Sequence, residues 1–249
     1  MLSFSALIDL AAAYQNNGYN LLTFNLKAHD CIAEGVYANG FDTKEEFYYV
    51  GGSLEPFERR YVDIQCAINF VKSFSNKIVL QGHSMGCESI IAHQITSGQN
   101  YDTILLSPCD AYRLQMDYIY PKTVAELIDE LDNYPDNELL PAYFFGINTP
   151  TYTNIGRYTI PIYKKAMHSI LTGLALKIFR QDKNFEYHLP IRCLCVLGRK
   201  DPMQTYMPKH AFDVLNSKFD EFLGVELNGD HELKPEQEEL IKNILHWLR

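Results

Sequence analysis

Several absences narrow the problem first. The chain has no C-x-x-C pair, no block of Lys and Arg, and no apolar run of the ~18 residues that a membrane-spanning helix needs. It has no G-x-G-x-x-G after a strand-like run and no G-x-x-x-x-G-K-[S/T], so neither a dinucleotide nor a nucleoside triphosphate is implied, and no organic cofactor is expected. The opening residues Met1-Leu2-Ser3-Phe4-Ser5 lack a basic n-region, so no secretory leader is expected. The 22 basic residues fall short of the 31 acidic ones, for a net charge of −9. That balance argues against nucleic acid and anionic membranes as partners.

Six cysteines are present: Cys31, Cys66, Cys87, Cys109, Cys193 and Cys195. Their spacing fits neither a disulfide framework nor a zinc site. They read as free, mostly buried thiols in a reducing compartment, the cytoplasm, and no metal is expected. At 249 residues, 47% apolar and 21% charged, the composition is that of an ordinary globular protein. The length suits one α/β domain over 1–249 that buries its core without staples.

Short apolar runs alternate with amphipathic ones. Helices are expected over 3–17, 57–74, 88–96, 208–217 and 235–248, and strands over 19–26, 77–80, 103–106, 191–197 and 222–227. In the helix at 57–74, Phe57, Tyr61, Ile64, Ile68 and Val71 recur at 4-3-4-3 spacing. Residues 27–55 read as an ordered loop. The alternation predicts an α/β fold, a mostly parallel sheet covered by helices on both faces. Residues 112–188 are too long for a connection. They are helix-prone at 123–131 and 163–179 and rich in aromatics, among them Tyr143 and Phe144. They read as an inserted helical lid or cap over the end of the sheet where α/β sites lie.

The sharpest motif is Gly82-His83-Ser84-Met85-Gly86, entered from a strand and left through a helix. That is the setting of a nucleophile elbow. The tight turn strains Ser84 and lifts its hydroxyl, and it requires small residues two before and two after, here Gly82 and Gly86. The N–H of Met85 then faces a developing oxyanion. A serine needs a base. Of eight histidines, His231 lies between the last strand and the last helix. The base needs a carboxylate. Asp201 follows the strand at 191–197, and Asp110, after 103–106, is the rival. The order Ser84, Asp201, His231 is that of strand–turn–helix hydrolases. His29 and His83 are counted with Tyr143 and Phe144 as substrate contacts.

With these residues in view, the whole chain resembles the α/β-hydrolase superfamily. The likeness is strongest at 78–87, 105–108, 196–201 and Gly229-Asp230-His231. Within it, residues 52–57 leading into Asp63-Ile64 resemble the siderophore (fusarinine) esterase group. The resemblance implies a nucleophile at Ser84, an acid at Asp201, a base at His231 and an oxyanion donor at Met85. It also implies a strand ending in a His-Gly turn before the first helix, which supplies the second oxyanion N–H. Met1 stands almost at that helix, so this strand is expected to be missing. Its place would be between 19–26 and 77–80, leaving those two strands with unpaired edges or pairing them directly. A fragment or a misplaced initiator, a rearranged edge, or a lost activity would each account for the gap. Losing one oxyanion donor costs about 10²–10³ in turnover.

The expected function is hydrolysis of a carboxylic ester, thioester or amide with an acyl or aryl group, through an acyl-Ser84 intermediate. The alternatives are ligand binding without turnover, and the same three residues used for C–C hydrolysis or acyl transfer. The sequence sets no oligomeric state.

Overall fold

The computed structural model describes residues 4–24, 33–36, 47–50, 56–110, 112–113, 122–138, 140, 164–179 and 185–249. In chain order its elements are helix α1 (Phe4–Asn16), strands β1 (Ala33–Val36) and β2 (Phe47–Val50), helix α2 (Arg59–Lys72), strand β3 (Val79–His83), helix α3 (Met85–Ser97) and strand β4 (Asp102–Leu106). Helices α4 (Val124–Leu131) and α5 (Lys164–Thr172), strand β5 (Leu189–Gly198), helix α6 (Ala211–Asn216), strand β6 (Phe219–Leu227) and helix α7 (Gln237–Leu248) complete the set. Single 3₁₀ turns occupy Leu174–Lys177 and Pro202–Tyr206.

By contacts the chain divides into two compact units. The first comprises 1–24, 64–112 and 177–249, and the second 25–63 and 113–176. The first unit holds a four-stranded parallel sheet in the order β3-β4-β5-β6. Parallel neighbours need crossovers, and α3 and α6 supply two of them. Side chains alternate between the faces of a strand. On one face Ile104, Leu106, Leu194 and Val196 pack with Leu10 and Tyr14 of α1 and Leu240, Ile244 and Leu248 of α7. On the other, Gln94 of α3 donates from Nε2 to Thr103 Oγ1 at 2.9 Å. Phe212 of α6 lies on Gly224 of β6, where an added Cβ would come within 2.7 Å of the ring. Both faces of the sheet are therefore covered, as the sequence pattern predicts for an α/β fold.

In the second unit, β1 and β2 pair antiparallel, with Ala33 opposite Val50 and Val36 opposite Phe47. The segment expected to be only an ordered loop thus contains a two-stranded ribbon, in keeping with the β-prone run Phe47-Tyr48-Tyr49-Val50. Helix α4 opens with a capping box: Thr123 Oγ1 accepts from the Glu126 N–H, and the Glu126 carboxylate accepts from the Thr123 N–H. The Phe57 N–H donates to buried Ser169 Oγ at 2.7 Å, and Ser169 in turn donates to Glu58.

The strand expected over 19–26 does not form over 19–24. A strand needs a hydrogen-bonded neighbour, and among the described residues β3 pairs with β4 alone. The apolar character of 19–24 has another use: Tyr19 and Leu21 pack against the core, and Tyr19 donates to the Leu248 carbonyl. Among the described residues no helix is long and apolar enough to cross a membrane.

Candidate active site

The site is built at the carboxyl ends of β3, β5 and β6, where parallel sheets offer unpaired backbone and loop residues to a ligand. Ser84 follows β3 directly and opens α3, with φ 53° and ψ −129°. A left-handed φ is strained for a residue with a Cβ. Three contacts hold it there. The Ser84 N–H donates to the Leu106 carbonyl at 2.9 Å, the Cys87 N–H donates to the Ser84 carbonyl at 2.9 Å, and Cys87 Sγ donates to the same Leu106 carbonyl at 3.4 Å. The turn is so tight that a Cβ on Gly82 would come within 2.7 Å of Cys87 N and the Gly86 carbonyl group. Gly86 is different. A Cβ there meets nothing within 4 Å, so the expectation that both flanking positions must be small holds for Gly82 alone. The reason is that the chain curls back over Gly82, whereas Gly86 already lies in the open first turn of α3.

Met85 is the first residue of α3, and its N–H therefore has no carbonyl of its own helix to bond. The positive end of the helix lies at the same point.

Asp201 and His231 meet because β5 and β6 are neighbours. The last pair of that ladder is Gly198 with Leu227, and both residues lie a few positions beyond it. Close approach of the two loops rests on glycine. A Cβ on Gly198 would lie 2.5 Å from the Asp230 carbonyl oxygen and 2.6 Å from that of Gly229. Backbone bonds from Arg199 to Leu227 and from Lys200 to Gly229 close the contact. The Nδ1–H of His231 donates to Asp201 Oδ2 at 2.8 Å. The other oxygen, Oδ1, accepts from the Met203 N–H at 2.8 Å. The Asp201 side chain is fully buried, while that of His231 is 26% exposed. A buried carboxylate with both oxygens bonded fixes the ring and its tautomer, leaving Nε2 free to take a proton.

His83, within the elbow, reaches this pair from the end of β3. Its Nε2–H donates to the His231 carbonyl oxygen at 2.7 Å, and the two rings lie 5.0 Å apart. Burial pushes its pKa down to about 4. Its Nδ1 is buried without a hydrogen-bond partner among the described residues. The ring expected to touch substrate is engaged through Nε2 with the His231 loop.

The structure thus brings together Asp201, His231 and His83, and it sets Ser84 and Met85 immediately after His83. Ser84 Oγ caps no N–H of α3, and among the described residues no hydrogen bond joins it to His231. Nδ1 of His231 bonds Asp201; the rival Asp110 is buried and accepts from the Tyr112 N–H at 3.0 Å. His29, Tyr143 and Phe144 lie outside the described residues. Among the described residues no cluster of three or more His, Cys, Asp or Glu could hold a metal ion. Sequence reasoning missed Gly198 and Gly229 as the points of loop contact. Their position at a strand end and just before Asp230-His231 was the available signal.

These elements define a parallel α/β protein with a strained serine after one strand and an Asp–His pair after two others. Comparison with solved structures gives the fold by name. The ferulic-acid complex of Est1E from Butyrivibrio proteoclasticus is similar at 15% identity and TM-score 0.61, covering 99% of this chain and 82% of that one. A structure of the metagenome-derived lipolytic enzymes LipS and LipT matches at 16% identity and TM-score 0.56, covering 98% and 87%. The monoacylglycerol lipase of Paleococcus ferrophilus matches at 19% identity and TM-score 0.51, covering 81% and 82%. No family model and no curated protein matches the chain. The chain has the α/β-hydrolase fold. These likenesses do not reach the siderophore-esterase group.

Proposed function

We propose that this chain is a serine hydrolase that cleaves a carboxylic ester through an acyl-Ser84 intermediate. The observation that carries the reading is the Asp201–His231 hydrogen bond, which is tied through His83 to the strained serine turn. His231 Nε2 takes the proton of Ser84 Oγ as that oxygen bonds to the ester carbon. The Met85 N–H donates to the resulting oxyanion, and Asp201 stabilises the imidazolium. The carbon–oxygen bond to the alcohol then breaks, and His231 returns the proton to the departing oxygen. Water adds to the acyl-enzyme with the same base, releasing the acid and free Ser84.

The lipolytic and esterase names of the structural neighbours fit ester hydrolysis. The apolar and aromatic content of 112–188 fits a lid over an acyl or aryl substrate, with His29, Tyr143 and Phe144 as its contacts. Thioester or amide cleavage, acyl transfer and C–C hydrolysis would use the same three residues with a different substrate or acceptor. Binding without turnover is the second reading, favoured by the missing hydrogen bond between Ser84 and His231 among the described residues. A fluorophosphonate probe separates the two. On the hydrolase reading it labels the wild type at the Ser84 peptide and spares Ser84→Ala. Equal labelling of both proteins, or of neither, rejects it.

A further inference from the structure

We propose that His83 is a positioning residue: it holds the backbone of the His231 loop against the strand that carries the nucleophile. The inference rests on the hydrolase reading above and gives a role to a residue that the mechanism does not use.

The loop from 228 to 234 is turned on itself. Asp230 Oδ1 accepts from the N–H groups of Glu232 and Lys234 at 2.9 and 3.0 Å, and Leu233 N–H donates to the Asp230 carbonyl at 2.9 Å. Those bonds shape the loop internally and say nothing of where it points. Gly229 of this loop accepts from the Lys200 N–H, and among the described residues two bonds tie His231 itself to the rest of the sheet. One grips its ring, through Nδ1 to Asp201. The other grips its backbone, through the carbonyl to His83 Nε2 at 2.7 Å. His83 is the last residue of β3 and pairs with Leu106, so it is rigidly placed. It also directly precedes Ser84. A single side chain therefore links the base loop to the nucleophile's own backbone.

The chemistry of the ring suits this role. A carbonyl only accepts, so the hydrogen sits on Nε2, and His83 is the neutral Nε2–H tautomer. A second proton would sit on Nδ1, which is buried with no acceptor among the described residues. Neutrality matters because the two rings are 5.0 Å apart. When His231 becomes imidazolium in the reaction, a charged neighbour would oppose it. His83 supplies a donor without a charge.

Phenylalanine keeps the ring volume and removes the donor, whereas glutamine places an amide nitrogen near the position of Nε2. We expect His83→Phe to lower kcat by about 10- to 100-fold with KM within about 3-fold of wild type, because a misplacement of about 1 Å costs on the order of 100-fold. His83→Gln should recover most of that loss. The Nδ1–H proton of His231, followed by NMR, should exchange with water faster in His83→Phe than in wild type and be restored in His83→Gln. That readout needs no turnover, so it tests the clamp even if fluorophosphonate labelling fails and the hydrolase reading falls. Unchanged kcat and unchanged proton exchange in His83→Phe would overturn the proposal. So would a raised KM at constant kcat, which would mark His83 as a substrate contact. If His83→Phe does not fold, His83→Gln alone decides: loss of Nδ1–H protection in it contradicts the clamp.

Discussion

The Cα of Gly82 lies so near the backbone of Cys87 that a methyl group there would sit 2.7 Å from the Cys87 nitrogen. The obstacle is the main chain of Gly86 and Cys87, just beyond the serine, which cannot swing aside as a side chain can. Gly82→Ala should therefore destabilise by about 1–3 kcal/mol, the range for overpacking, and shift Ser84 enough to reduce turnover. Gly86→Ala has open space in a helical turn and should be neutral or stabilising by up to about 1 kcal/mol. Urea unfolding of the two variants checks the asymmetry. Equal losses would mean that the turn needs both glycines, as the sequence motif alone suggests.

The tautomer of His231 is set by one carboxylate. Asp201→Asn keeps the shape but offers an amide where the Nδ1–H needs an acceptor, and should lower kcat by on the order of 10⁴-fold. Asp110→Asn leaves that bond intact and should change kcat by less than about 10-fold. Steady-state kinetics on an activated ester compares the pair. A larger loss at Asp110 would transfer the acid's role to it.

Burial of His83 has a consequence for stability. Its pKa falls from 6.5 when exposed to about 4 when folded. Between those values the unfolded chain binds the proton and the folded chain does not. The neutral ring's contribution is complete above pH 6.5, declines as pH falls, and is gone below about 4. It amounts to about 3 kcal/mol at most. Asp201 and His231 face the same ring, but they remain in His83→Gln. The difference in unfolding free energy between wild type and His83→Gln should therefore favour wild type more at pH 7 than at pH 4.5. A pH-independent difference would contradict the burial argument.

Thiol reactivity should divide sharply. Cys66 is exposed on α2, while Cys87, Cys109, Cys193 and Cys195 are buried. Burial pushes those four thiols up, away from the reactive thiolate. With an aromatic disulfide reagent and peptide mapping, Cys66 should react ahead of these four. The four buried thiols should lag by 10³-fold or more, since they wait on unfolding. Comparable rates at all five would show that the sheet is not closed around them.

Much of the sheet and its helices could be read from the sequence because their signals are local. The run Val79–Leu80 is apolar and stops at a glycine turn. Helix α7 carries Leu240, Ile244 and Leu248 on one face, and all three are buried. Asp201 and His231 were legible for a related reason: each follows an apolar strand, and neighbouring strands bring their ends together. What was not legible depends on partners. Residues 19–24 have strand-like composition, but a ladder needs a neighbour that composition does not reveal. The bond from His83 to His231 spans 148 positions and depends on the pitch of a turn. Locally Gly198 is a strand-ending glycine like any other; its small size is required by the carbonyls of Gly229 and Asp230, which lie against it from a distant part of the chain.

The central claim is a covalent one, and mass spectrometry tests it most directly. Rapid quenching of the wild type with a p-nitrophenyl ester should give a burst of nitrophenol and an acyl adduct on the peptide containing Ser84. Both should be absent in Ser84→Ala, and the adduct should persist longer in His231→Ala if it forms at all. Ester turnover at the wild-type rate in Ser84→Ala, or an adduct mapped to another residue, would contradict the account.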